Sequence, residues 1–208
     1  MTGSTDITVR ILYQWDEALS QTAGFRPAGS RAALIDWTVL PLPIDESVPD
    51  PVMRAVARTA ISMGTVAYRL FFKEALPNGV SVYRAPRAWI GKRVLDRMTR
   101  TWPADIATAI TPEATVDIFF QYWHMQAQTA LVLRNDSLSD ESMDRLRRAR
   151  DWRDLPFPAD AKLLIAPAVD GEGVLLAAAH RDELDVAVQA VADELRRAGV
   201  AVTIGGPV

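Results

Sequence analysis

Apolar and polar positions alternate from Asp6 to Tyr13, with Ile7, Val9, Ile11 and Tyr13 on one side, the pattern of a half-buried strand. A loop rich in Gly24, Pro27 and Gly29 follows, then a second apolar strand at Ala32–Leu40. The two are expected to pair across that loop. Pro41, Pro43 and Pro49 then hold the chain extended.

The period changes at Asp50. Met53, Val56, Ala57, Ala60, Gly64, Ala67 and Phe71 recur at steps of three and four, which predicts a helix from Asp50 to Leu76 with one buried stripe. Asp50 is expected to cap it and Pro51 to occupy the first turn without loss of a hydrogen bond. The stripe is small in its middle, which invites close approach by a neighbour. Arg54, Arg58, Ser62, Thr65, Arg69 and Lys73 fall on the opposite side.

A short strand is expected at Ser81–Arg84, then a helix with Trp89, Ile90, Val94, Leu95 and Met98 on one face and Arg93, Arg97 and Arg100 on another. A helical turn is expected at Ala104–Ile110. Thr111-Pro112-Glu113 again carries cap, proline and acid, predicting a helix over 112–132, with a strand at Thr115–Trp123 as the alternative. Ser139 followed by Asp140 and Glu141 starts another helix, to about Arg150, with Leu138 and Met143 spaced as a hydrophobic staple.

The C-terminal quarter has the plainest pattern. Lys162–Val169 and Val174–Ala179 flank Asp170-Gly171-Glu172-Gly173 as a hairpin. Asp182–Ala198 turns Leu184, Val188, Val191 and Leu195 inward and stops at Gly199, and Val200–Ile204 is a closing strand. The whole reads as an α+β fold over 1–208. A mixed or largely antiparallel sheet comes from the N- and C-terminal strands, and a helical middle packs on one face. The ββαβ unit at 155–208 is either a sub-lobe beside 1–154 or the completion of the same sheet. No internal repeat is visible.

Composition narrows the function classes. About half of the 208 residues are apolar, enough for a core without disulfides. The chain has no cysteine, which removes disulfides, thiolate metal sites and cysteine nucleophiles. No apolar run approaches the ~18 residues of a membrane span, and MTGSTDITVRILYQ lacks the basic-then-apolar order of a secretory signal. A soluble, cytoplasmic, bacterial protein is the expectation.

Charge adds the one unusual feature. The net charge is −3, yet residues 51–103 carry ten Lys/Arg against only Glu74 and Asp96, while both flanks are net acidic. Two arginine-bearing helices in that segment, at Arg54, Arg58, Arg69, Lys73, Arg93, Arg97 and Arg100, form a candidate surface for an acidic protein partner or a small anionic ligand. The acidic total argues against a dedicated nucleic-acid binder, and homo-oligomerisation is left open.

Catalytic signals are sparse. On a helix, Glu113, Asp117, Gln121, His124 and Gln128 share a ridge, so His124 is a candidate general base, with Gln121 needed to bridge it to Asp117 about 10 Å along the axis. His180, where the last helix begins, reads as structural. Two histidines without cysteine give no zinc site, the Gly171-Glu172-Gly173 turn leads into a strand and so is no phosphate loop, and no nucleophile-elbow motif is present. The expected function is therefore a non-enzymatic binding protein without cofactor or metal, of adaptor, inhibitor or toxin-neutralising type. The alternative is an enzyme or small-molecule binder with a pocket between helices 51–75 and 112–132.

Overall fold

The computed structural model describes residues 6–14, 29–40, 49–70, 80–83, 105–109, 111–116, 129–149, 152, 155–168 and 173–205. In chain order these form β1 (Asp6–Gln14), β2 (Arg31–Leu40), α1 (Asp50–Met63), β3 (Val66–Leu70), β4 (Val80–Tyr83), β5 (Asp105–Ala109), β6 (Ala130–Leu133), α2 (Asp140–Arg148), β7 (Ala161–Pro167), β8 (Gly173–Ala178), α3 (Arg181–Arg197) and β9 (Ala201–Gly205). All nine strands join one sheet in the order β4-β5-β3-β6-β7-β8-β2-β1-β9. Every pairing is antiparallel except β1 with β9. The fold is α+β with a mixed, largely antiparallel sheet.

Strand alternation divides the core into two layers. Val9, Ile11, Ala33, Ile35, Val132, Leu163, Ile165, Val174 and Leu176 face one way, onto the apolar stripes of α1 and α3. Leu34, Leu131, Leu133, Leu164, Leu175 and Ala177 face the other way, toward Leu146 of α2 and Trp152. β6 and β8 are buried at every position. That explains why they read as unbroken apolar runs rather than as alternation.

Several sequence expectations hold. β1 and β2 pair from Asp6 opposite Leu40 to Gln14 opposite Ala32. β7 and β8 form the expected hairpin. Ser139 caps α2, its Oγ accepting from Ser142 N at 3.3 Å, and Leu138 and Met143 pack on the second core layer. α3 stops at Gly199, which takes φ 80°.

Others need correction. The helix begun at Asp50 ends at Met63, and the chain becomes β3 two residues beyond Gly64. The local pattern there is ambiguous. Val66, Tyr68 and Leu70 alternate at period two inside a stretch that also fits a helix, and pairing with β5 and β6 decides for strand. Asp50 is not the cap: Pro49 holds that position, its carbonyl accepting from Val52 N and Met53 N, and the Asp50 carboxylate receives Arg54 Nε at 2.6 Å instead. The helical turn expected at Ala104–Ile110 is strand β5. The helix at Pro112 does start, with Ala114 N donating to Thr111 Oγ1, and Thr115 and Val116 are helical rather than strand. It does not reach 132, because Ala130–Leu133 is β6. The middle of the chain thus adds four strands to the sheet. The helix expected around Trp89–Met98 lies outside the described residues.

The topology contains a duplication that no sequence period announces. β1-β2-α1-β3 and β7-β8-α3-β9 are both a hairpin, a helix and a parallel return strand. β2 and β8 pair antiparallel at the centre. Each helix then carries its chain across the other unit's hairpin, so β9 lies parallel beside β1 and β3 lies parallel to β7 with β6 inserted between them. α1 and α3 consequently lie side by side on one face.

Gly64 makes the junction between α1 and the sheet. A Cβ built there would sit 2.6 Å from the Leu133 carbonyl oxygen, a backbone atom that cannot move aside without disturbing β6. Gly64→Ala is therefore expected to destabilise the fold by roughly 2–3 kcal/mol, read from urea unfolding; an unchanged midpoint would refute the close approach. Thr59 on α1 is 2% exposed, and among the described residues its hydroxyl has no hydrogen-bond partner. Thr59→Val keeps the shape and removes the orphan, so stability should rise by about 1 kcal/mol; a loss in the same assay would mean that the hydroxyl is satisfied in solution.

Candidate functional site

The richest polar constellation lies at one end of the sheet, where α1 and β6 end and β7, α2 and α3 begin. It forms where the chain leaves the apolar strand β6 through the polar run from Arg134 to Ser137 and re-enters the sheet at β7 through Asp160 and Lys162. Lys162, the second residue of β7, donates Nζ to the Met63 carbonyl at 2.8 Å and so caps the negative end of α1. Just past α1, Thr65 donates both its N–H (3.1 Å) and its hydroxyl (2.8 Å) to Asp136 Oδ1. Asp136 holds a left-handed backbone, φ 56°, that aspartate tolerates better than most residues.

Beside this pair, Arg134 donates from both terminal guanidinium nitrogens to Glu183 in the first turn of α3, the Nη2–Oε2 bond being 3.1 Å, and Nη2 also donates to the Ala161 carbonyl at 3.2 Å. Asp160 closes the row. Its Oδ2 accepts from Ser139 Oγ at 2.7 Å and from Ser139 N at 3.2 Å. Next to it, a shallow cleft of about 160 Å³ is lined by Ser139, Ser142, Arg145, Leu155, Pro158 and Asp160. This is well below the ~300–1,000 Å³ of usual small-molecule sites.

Electrostatics follow from these bonds. The hydroxyl and then the N–H of Thr65, helped by the Lys162 charge, hold the Asp136 carboxyl below the ordinary 3.8. The hydroxyls of Ser142 and Ser139 do the same for Asp160. At the neighbouring end of β1, burial pushes the Tyr13 phenol up to about 12, assisted by its bond to Asp185. Each of these groups is already answered by another protein group. Their evident chemistry is to pin α1, α2 and α3 to the sheet, and among the described residues no His, Asp and Glu cluster suited to a metal ion is formed.

The sequence-based binding surface is only partly within view. Arg54 and Arg58 are exposed on α1, as expected, but Arg54 pairs with Asp50 and Arg58 with Glu194 of α3 at 3.4 Å. Such exposed pairs hold the side chains only weakly. Arg69 lies on strand β3 and not on the cationic stripe of a helix, a consequence of the early stop at Met63. Lys73, Arg93, Arg97 and Arg100 lie outside the described residues. So do Asp117, Gln121 and His124, the alternative catalytic group. Glu113, at the start of that ridge, is exposed. Among the described residues α1 packs against α3, and Ala114 and Val116 at the start of the helix from Pro112 join the same core layer. His180 is exposed where α3 begins and makes no side-chain cap there.

Sequence reasoning missed the Arg134–Glu183 and Thr65–Asp136 bonds, whose partners are 49 and 71 residues apart. The only local hint was a polar run, Arg134 to Ser137, directly after an apolar strand. Comparison of the chain with protein-family models, curated proteins and solved structures found no match.

The depressed aspartates fix a sign. Their stabilising effect is present above the unfolded value near 3.8 and is lost as pH falls through the lower folded values. The double variant Asp136→Asn, Asp160→Asn should thus show a shallower fall in stability between about pH 5 and about pH 2 than the parent chain. Urea unfolding across that range measures it, and parallel curves would refute the assignment.

Proposed function

We propose that this chain is a non-enzymatic binding protein that recognises an acidic protein partner, of adaptor, inhibitor or toxin-neutralising type, acting in the bacterial cytoplasm. The observation that carries the reading is the strand order. β4, β5 and β3 are the outermost three strands at one end of the sheet, and β2, β1 and β9, drawn from the acidic flanks, stand at the other. The cationic segment 51–103 contributes β3 and β4, and both ends of the connection bearing Arg84, Arg87, Lys92, Arg93, Arg97 and Arg100 are anchored there, in β4 and β5. The most cationic stretch of the sequence is thereby tethered at both of its ends to one end of the sheet, an arrangement that favours oriented approach of a negatively charged surface. Among the described residues no helix is long and apolar enough to cross a membrane, which accords with a partner met in solution.

Poly-L-glutamate is a suitable probe. Binding is expected at low ionic strength and should weaken as salt is raised. Arg93→Glu, Arg97→Glu and Arg100→Glu together should weaken it at least ~10-fold, whereas the same charge change on α3 (Arg181→Glu, Arg196→Glu, Arg197→Glu) should have a much smaller effect. Equal losses from both sets would refute a localised surface. Tighter binding to duplex DNA than to poly-L-glutamate would refute the acidic-protein reading.

A further inference from the structure

The two ββαβ units differ on both sides of their return strands: β6 lies between β3 and β7 whereas β9 pairs directly with β1, and the outer sides differ as well. β3 is covered on its outer side by β5, antiparallel. Its counterpart β9 pairs with β1 and, among the described residues, with no other strand. An edge strand of this kind turns alternate N–H and C=O groups outward, and proteins usually guard such an edge with lysine, proline or a bulge. β9 has none of these. Its register with β1 runs unbroken from Ala201 to Gly205, and no charged residue occurs from Ala198 to Val208. Ala201 and Thr203 are exposed. Val202 and Ile204 are half-buried against the core layer beneath α1 and α3, so that layer ends at this edge with aliphatic side chains partly in water.

We propose that two copies of the chain pair through β9, antiparallel about a twofold axis, joining their sheets into one. The duplication indicates what such an edge accepts, since the equivalent strand β3 takes an antiparallel neighbour. Charge selects the occupant. About a twofold axis residue i of one copy faces residue j of the other and j faces i, so a charge near the axis would lie close to its like. This edge has no charge to repel a copy of itself and none to attract the acidic partner proposed above. Val202 and Ile204 of the two copies then abut and complete the apolar layer across the joint. Because five residues of edge bury far less than the ~800 Å² per partner of a standard interface, association in the micromolar range is expected.

Sedimentation equilibrium of the full chain from about 1 to about 200 µM should show the mass rising from 22.9 kDa toward that of a dimer. Thr203→Lys should weaken the dimer at least ~10-fold, while Thr38→Lys, an exposed position two strands inward, should leave it unchanged. Because the parent chain has no cysteine, single cysteines at Ala201, Thr203 and Gly205 provide a test that leaves the strand uncharged. At least one should give a disulfide-linked dimer on mild oxidation, and the position that does so reports the register. A monomer mass throughout, an equal loss from Thr38→Lys, or no cross-link from any of the three would each overturn the proposal. So would a β9 edge whose amides are protected from hydrogen exchange in a monomer.

Discussion

The fold depends on a sheet whose central strands are buried on both faces. Every residue of β6 and β8, every residue of β7 but Lys162, and Ala32 to Ile35 of β2 are buried. Their backbone groups must therefore find partners in the ladder, because an unpaired N–H or C=O there would lack water as a substitute. Burial on both faces also requires covers on both. α1 and α3 form one cover. The other includes α2 and Trp152, whose Nε1 donates to the Leu146 carbonyl at 2.9 Å and so keeps the indole satisfied while buried.

The polar row at the β6–β7 end is the complement of that apolar centre. Chain segments leaving a fully buried strand must restore hydrogen bonding at once, and Arg134, Asp136, Asp160 and Lys162 do so within a few residues of β6 and β7. Their partners come from α1, α2 and α3 or from the turns beside them, so the covers are fastened where apolar packing ends. The carboxylates and cations of such a row already have protein partners. The two ends of the strand order differ instead in how their edges are finished.

The duplication gives those ends a common origin in topology and different outcomes. One unit receives β6 and then β5 and β4, which extend its side of the sheet with strands from or beside the most cationic part of the chain. The other stops at an uncharged strand of five residues. The same hairpin–helix–strand path therefore leads to one end extended by further strands and to one that stops at an uncharged strand.

Much of this was already determined by residue order. β1, β2, the β7–β8 hairpin, the Ser139 cap and α3 with its Gly199 stop each rest on contacts within one element or between neighbours in sequence, and their patterns named them. The small stripe on α1 likewise announced a close neighbour. The identity of that neighbour was not local information: α3 fills the place because the second unit crosses the first. The Arg134–Glu183 and Thr65–Asp136 bonds were hidden for the same reason, their partners being brought together only by the sheet. The stretch from Gly64 to Leu70 shows the division most plainly. Its side chains satisfy both a helical and a strand period, and only pairing with β5 and β6, together with Gly64 pressed against the Leu133 carbonyl, chose the strand. With that choice Arg69 left the helical stripe and joined the sheet. The sequence by itself determined which elements were amphipathic and where charge accumulated. Tertiary structure decided which charges share a surface, because long-range pairing outweighs a local pattern that two conformations satisfy equally.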